Sequence, residues 1–225
     1  MFQCQVNRCF VVGMSFTGRG RFTITITDRE GQLRWKDMPL FSDKKHVDVF
    51  LGEEFDVGLD PNFEFDGSGK LLAITVDYRR FVVEKMVYEL SCIVGRATRV
   101  WVVRDGNKRY VLKDSWIQDH YVDSEVTILQ KMNKLMENDE KVDQSIKESI
   151  PIIVCGSNVE VNGILDCTGC YRKDLRGWTD SQRTHRHIVS SPIGEPIITF
   201  CSKKEFIQAI ISIIEGVLLC SLLHC

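Results

Sequence analysis

The sequence predicts an α+β fold, because strand-type and helix-type patterns alternate along most of the chain. In residues 21–27, three apolar residues alternate with three threonines, which is the pattern of a half-buried strand. Asp105 and Gly106 separate two Val-rich runs and favour a tight hairpin turn, since both residue types tolerate positive φ. Between Val126 and Met136, apolar residues recur at helical spacing and predict an amphipathic helix.

The first third of the chain predicts a hairpin followed by a helix. Residues 9–16 and 21–27 are the two strands of the hairpin, and the Gly-containing stretch 17–20 is its turn. Ser42 stands where an N-cap is expected, before an amphipathic helix over 43–55. A turn-rich stretch and two further strands follow, at 58–69, 70–78 and 81–90.

The rest of the chain predicts short strands, two helices and polar connections. The expected strands are 92–94, 100–103, 110–112, 151–154, 159–165, 187–190 and 197–200. The expected helices run from Asp123 or Ser124 to about Met136, and from the N-cap Ser202 to the C-terminal end. Residues 138–149 and 167–182 are polar and are expected to be surface segments.

Composition places the chain among ordinary intracellular proteins. It has 225 residues, a formal charge of −2, 44% hydrophobic and 27% charged residues, which gives no sign of a nucleic-acid or anionic-membrane partner. The N-terminus, MFQCQVNRCF, lacks the pattern of a signal peptide, so we expect a cytoplasmic or nuclear protein. Its nine cysteines are then expected to be reduced thiols.

One apolar segment, residues 206–223, requires a comparison with membrane-spanning helices. It is slightly shorter than about 20 apolar residues and contains Gln208, Ser212, Glu215 and Ser221. A buried helix of a globular protein is the better interpretation. If its apolar faces were exposed, we would expect self-association through this helix.

Residues 93–130 carry the pattern that points to chemistry. A glycine between two strands is followed by a hairpin, a strand ending in Val-Leu-Lys and a helix with an early acid. Protein kinases place a glycine-rich turn over the ATP phosphates, a lysine on the third strand and a glutamate on the next helix in this order. Gly95, Ala97, Lys113 and Glu125 are the corresponding residues here. The spacing alone favours an ordinary β-hairpin with a surface lysine, and Asp119 and Asp123 compete with Glu125 as partners of the lysine.

Longer runs of the sequence resemble the fungal-type protein kinases. GRATRVWVV and YVLKDSW, residues 95–103 and 110–116, are similar to the family's segments GRGTRVW and VLKDSW. Residues 10–13, 58–61, 185–189, 192–196 and 202–224 resemble further family segments in the same order, so that the likeness covers nearly the whole chain.

The resemblance implies a kinase small lobe and an ATP site. It implies an N-terminal β-hairpin/helix extension over residues 1–80, and a partial kinase domain over 81–225 with a small antiparallel sheet, one packing helix, a hinge and the first large-lobe helix. The cofactor implied is ATP with Mg²⁺, and the partner is a protein substrate carrying Ser or Thr. The ATP-binding residues implied are Gly95, Ala97, Val102, Lys113 and Glu125, although Ala97 stands where the family has a second glycine.

The C-terminal residues of the sequence bear on catalysis. His224 resembles the first residue of the kinase His-Arg-Asp catalytic loop, but Cys225 follows it and no catalytic or metal-binding aspartate is recognisable. We therefore expect this chain to be a truncated, inactive kinase fragment. A non-catalytic interaction module and a gene fragment without function are the alternatives.

A C-x-x-C pair, Cys167 and Cys170, is the remaining motif with metal-binding spacing. A structural zinc site needs two such pairs or two suitably spaced histidines, whereas His185 and His187 are only two residues apart on an expected strand. We therefore predict reduced cysteines and no metal site.

Overall fold

The computed structural model describes residues 6–18, 21–34, 38–39, 58–90, 92–118, 125–138, 144, 147, 150–172 and 182–222. Antiparallel sheets and a few helices make up these residues, which confirms the mixed fold class predicted from the sequence. The helix predicted over 43–55 lies outside the described residues.

The N-terminal residues form a four-stranded antiparallel sheet. Strands β1 (Val11–Gly18) and β2 (Arg21–Asp28) form the predicted hairpin, in which Val11 pairs with Thr27 and Phe16 pairs with Phe22. Strands β3 (Gly31–Arg34) and β4 (Met38–Pro39) both pair with β2. Phe22 and Ile24 are buried as predicted, but Thr23 between them is buried as well, so burial along β2 does not follow the alternation of the sequence.

A seven-stranded antiparallel sheet holds most of the remaining chain. Its strands are β5 (Phe63–Phe65), β6 (Leu71–Val76), β7 (Arg79–Glu89), β8 (Arg99–Asp105), β9 (Lys108–Gln118), β10 (Ile152–Asn158) and β13 (Arg183–Ser191). Their spatial order is β10-β13-β9-β8-β7-β6-β5, so β9 and β13 are neighbours although 64 residues separate them in sequence. The boundary predicted near residue 80 stays a prediction; this position lies within β7, which pairs with β6.

The main core lies on one face of this sheet. Trp101, Leu112 and Val189 come from three adjacent strands and are almost fully buried together with Phe63 and Phe81. Phe63 and Trp101 meet edge to face with ring centroids 5.9 Å apart. Burial of these large apolar side chains is the main force that holds the seven strands in one sheet.

Three helices accompany the sheets. Helix α1 (Glu125–Asn138) buries Met132 and Met136 and packs on β10, as its apolar stripe predicts. Helix α2 (Thr168–Arg172) is short, and helix α3 (Lys203–Leu222) begins after Ser202, whose hydroxyl accepts the Glu205 amide hydrogen bond at 3.2 Å. Among the described helices, none combines the length and apolar character needed to cross a bilayer.

Four local predictions were wrong. Residues 92–94 form no strand and bend at 93 and 94. Residues 159–165 contain a small hairpin of β11 (Glu160–Val161) and β12 (Ile164–Leu165), and the expected loop after Cys167 begins with α2. The expected strand at 197–200 is a 3₁₀-helix, Ile197–Thr199. Short apolar runs of this kind are ambiguous, because the same pattern fits a strand, a turn or a helical segment.

Candidate functional site

Lys113 lies near the middle of the seven-stranded sheet. Its strand, β9, runs between β8 and β13, and Lys113 pairs with Val100 on one side and Ile188 on the other. Directly paired residues point to the same face of a sheet, so these three side chains share one face. Leu112 and Asp114 point to the opposite face.

The Lys113 ammonium contacts the first residue of helix α1. Its Nζ lies 2.5 Å from Oε2 of Glu125. The lysine side chain is 28% exposed and the glutamate side chain 44% exposed, so solvent reaches the pair. A carboxylate at this position also interacts favourably with the positive end of the helix dipole. The structure thus brings together the two charged residues that the sequence paired, whereas Asp119 and Asp123 lie outside the described residues.

The loop between β7 and β8 carries Gly95 and Ala97. The Leu90 amide donates to the Thr98 carbonyl at 2.8 Å and closes the loop at its base. The Gly95 amide donates to the carbonyl of Arg29 at 3.0 Å, and the φ of Gly95 is 120°, where glycine is strongly favoured. This loop is therefore attached to the N-terminal sheet through its glycine.

Ala97 is buried on the other side of the sheet from Lys113. Only 2% of Ala97 is exposed, and its methyl group packs with Cys9, Phe10 and Trp116. Trp116 alternates with Lys113 along β9 and so points to the opposite face. The structure thus separates the Ala97 side chain from the Lys113 ammonium.

Val102 lies on the Lys113 face of the sheet. It pairs with Val111 across β8 and β9 and is 2% exposed. It follows Val100 by two residues on β8, and Val100 is the residue that pairs with Lys113 across the two strands. The last predicted site residue, His224, lies outside the described residues.

A second group of functional side chains lies on the opposite face, and the sequence prediction missed it. His185 Nε2 lies 2.6 Å from Asp114 Oδ1, and its Nδ1 lies 2.8 Å from Asp166 Oδ2. His187 Nε2 lies 3.3 Å from Asp60 Oδ2. We call these five residues the histidine–aspartate cluster; each is at most 3% exposed. The alternation of His185 and His187 on one strand was the signal available in the sequence.

The surroundings of His185 favour its charged form. Burial alone would lower the pKa of His185, but the carboxylates of Asp114 and Asp166 outweigh burial and hold this pKa well above its ordinary value. The ring stacks on the Trp116 indole at a centroid distance of 4.7 Å. His185 is therefore fixed on both nitrogens and on one ring face.

A family comparison covers both groups of residues. The protein-family model described as fungal protein kinase matches residues 1–224. The chain belongs to the fungal protein kinase family. No curated protein and no solved structure matches it. Every site residue implied by the resemblance, including His224, lies within the part of this kinase-family chain that the family model matches.

Proposed function

We propose that the Lys113 face of the sheet binds Mg·ATP as the small lobe of a protein kinase, and that the complete kinase transfers the γ-phosphate to Ser or Thr hydroxyls of a protein substrate. The ion pair between Lys113 and Glu125 carries this proposal. Kinases use such a pair to direct the lysine ammonium at the nucleotide phosphates. Family membership supports the same assignment.

The order of elements around the pair supports a kinase small lobe. A glycine-containing loop joins β7 to β8, the lysine follows on β9, and α1 comes next in the chain. Counted from the strand before the loop, β9 is the third strand, where kinases carry this lysine. The partial exposure of Lys113 leaves its ammonium accessible to phosphate oxygens.

Apolar side chains on the same face provide a surface for a nucleotide base. Val102 and Ile188 are both buried; Ile188 pairs directly with Lys113, and Val102 pairs with Val111, two residues before Lys113 on the same strand. Nucleotide pockets combine such apolar lining with a few placed charges. We assign the adenine contact to Val102 and the phosphate contact to Lys113.

The glycine loop contributes less than its motif suggests. The Gly95 amide already donates to Arg29, and the Ala97 methyl packs in a separate apolar cluster. We therefore assign most of the nucleotide affinity to Lys113, and phosphate contacts by the backbone of Gly95 and Ala97 stay a prediction.

Phosphoryl transfer requires groups that these 225 residues do not contain. The sequence has no His-Arg-Asp and no Asp-Phe-Gly triplet. Those motifs supply the aspartate that accepts the hydroxyl proton and the aspartate that binds Mg²⁺. A polypeptide of these residues is thus expected to bind nucleotide without transferring phosphate.

Calorimetric titration with Mg·ATP tests the proposal. Removing a charge-assisted hydrogen bond costs about 1.5–3 kcal/mol, so Lys113→Met should weaken binding about 10- to 150-fold. Lys108→Met is the matched control, because Lys108 lies on the same strand and is exposed. No binding by the parent chain, or equal losses in the two variants, would contradict the proposal.

A second candidate function is protein binding through α3. Its exposed apolar side chains include Ile207, Ile211, Ile214 and Leu218. An apolar groove of about 530 Å³ runs between α3 and α1. An exposed apolar surface of this kind favours association. Association of a chain that fails to bind ATP would favour this candidate.

A further inference from the structure

Two buried polar atoms in the histidine–aspartate cluster face each other without a hydrogen bond. Asp60 Oδ2 and His187 Nε2 are 3.3 Å apart, and among the described residues neither has a partner of hydrogen-bond geometry. Each residue is 1% exposed. Leaving buried polar atoms in this state costs about 1–3 kcal/mol each, so a missing partner is expected.

The other oxygen of Asp60 shows why Oδ2 faces the cluster. Asp60 Oδ1 accepts hydrogen bonds from the backbone and side-chain amides of Asn62, both at 2.9 Å. These two bonds orient the carboxylate and direct Oδ2 toward the two histidines. The orientation is thus built into the turn that precedes β5.

One further donor atom, His185 Nδ1, lies near these two atoms. His185 Nδ1 lies 3.9 Å from Asp60 Oδ2 and 2.8 Å from Asp166 Oδ2. The ligand atoms of Asp60, His185 and His187 all lie within 4.8 Å of one another. In a tetrahedral zinc site with bonds of about 2.0–2.1 Å, neighbouring ligand atoms are about 3.3–3.5 Å apart. Asp60 Oδ2 lies 3.3 Å from His187 Nε2 and 3.9 Å from His185 Nδ1, which is close to that value.

We propose that Asp60, His185 and His187 bind one divalent transition-metal cation, with zinc as the best match. Imidazole nitrogens with carboxylate oxygens are ligands that Zn²⁺ takes in four-coordinate sites. The cation supplies the partner that Asp60 Oδ2 and His187 Nε2 lack. This site is independent of the proposed nucleotide site, because it lies on the opposite face of the sheet from Lys113.

A neighbouring carboxylate completes the arrangement typical of a metal-bound histidine. With His185 bound through Nδ1, its Nε2–H donates to Asp114 Oδ1 at 2.6 Å. Metal-binding histidines usually donate their second ring N–H to such a carboxylate, which fixes the ring orientation. Asp114 is thus a positioning residue and not a ligand.

Nearby cysteines are not part of the site. Cys9 Sγ lies 3.8 Å from His185 Nδ1 and 3.9 Å from the Asn7 carbonyl oxygen, and it groups with Asp166 and His185 rather than with Asp60 and His187. Cys167 and Cys170 contact each other, with their sulfurs 2.9 Å apart. We therefore assign nitrogen and oxygen ligands only.

The proposed metal would be structural. Its three protein ligands are at most 3% exposed, so the site is closed to a substrate from bulk solvent. They come from the turn before β5 and from strand β13. The cation would cross-link two segments that are far apart in the sequence.

Metal titration of the tag-free 225-residue chain tests this proposal. After chelator treatment and desalting, Zn²⁺ is added and the retained zinc is measured by mass spectrometry, while Co²⁺ serves as a spectroscopic probe. We expect one zinc per chain, and Co²⁺ absorption bands of a four-coordinate site without thiolate charge transfer. No retained metal, or bands from thiolate ligands, would overturn the proposal whatever the variants do.

Variants then locate the site. Asp60→Asn and His187→Gln should weaken metal binding by more than about 100-fold, and Asp114→Asn by about 10- to 100-fold. Cys170→Ser is the control and should bind like the parent. Circular dichroism checks that each variant is folded. Parent-like affinity in folded Asp60→Asn and His187→Gln would refute the assignment of ligands.

Discussion

A buried ion pair joins the N-terminal sheet to helix α2. Arg172 Nε lies 2.9 Å from Asp28 Oδ2, and Arg172 Nη2 lies 2.5 Å from Asp28 Oδ1. The Asp28 side chain is fully buried and the arginine side chain is 9% exposed. We predict that Arg172→Met destabilises the chain strongly, since it leaves the aspartate carboxylate buried without its counter-charge.

The structure sets the size of this effect. Removing one partner of a buried pair typically costs 3–5 kcal/mol. Asp28 Oδ1 also accepts the Glu30 amide at 2.8 Å, which partly stabilises the isolated carboxylate. We therefore expect a loss of about 3 kcal/mol in the free energy of unfolding. For a chain of this size, that loss lowers the melting temperature by about 6–12 °C.

Urea unfolding followed by tryptophan fluorescence measures the effect. Arg80→Met is the matched control, because Arg80 forms a 2.7 Å pair with Glu64 in which both side chains are about half exposed. Surface pairs contribute little, so the control should leave the urea midpoint almost unchanged. The reasoning is refuted if Arg172→Met shifts the midpoint no more than Arg80→Met does.

Three further predictions concern the backbone, the ion pair at Lys113 and α3. Gly58 has φ +83°, and a Cβ there would lie 2.6 Å from the Phe10 carbonyl oxygen. Gly58→Ala should therefore lower the free energy of unfolding in urea by more than about 1 kcal/mol. An unchanged urea midpoint would contradict this prediction. Glu125→Gln should weaken Mg·ATP binding less than Lys113→Met does, and the double variant should bind Mg·ATP as weakly as Lys113→Met alone. Additive losses of binding free energy in calorimetry would show that Lys113 and Glu125 act independently. Ile214→Glu should reduce self-association of the parent chain in light scattering, and a parent that is monomeric at all concentrations would exclude association through α3.

Local patterns predicted several elements correctly. These elements are the β1–β2 hairpin, the turn at Gly106 and helix α1. Each is formed by residues that are close in the sequence, so a local sequence pattern is enough to predict it. Strand β9 was predicted only over Tyr110–Leu112, but it extends from Lys108 to Gln118. Its later residues include the buried Asp114, which is stabilised in a strand by His185 from β13. No local pattern shows that partner.

The candidate nucleotide site and the histidine–aspartate cluster differ in how far apart their residues lie in the sequence. Lys113 and Glu125 are twelve residues apart, and a strand followed by a helix is enough to suggest their contact. The histidine–aspartate cluster combines Asp60, Asp114 and Asp166 with two strand histidines, across up to 127 residues of sequence. Its geometry follows from strand order and from the folding of β11 and β12, which the sequence patterns did not predict.

The sequence by itself determined the mixed fold class, the tight turn at Gly106 and the family resemblance, because short-range periodicity and motif order carry that information. It offered Glu125 as one of three candidate partners of Lys113, and the structure shows the contact between these two residues. Only the tertiary structure decided that Ala97 packs away from Lys113 and that five buried acidic and imidazole groups meet on the opposite face of the sheet. The physical reason is that side-chain direction in a sheet alternates with each residue, while the neighbours on each face come from strands that are paired by long-range hydrogen bonds and burial.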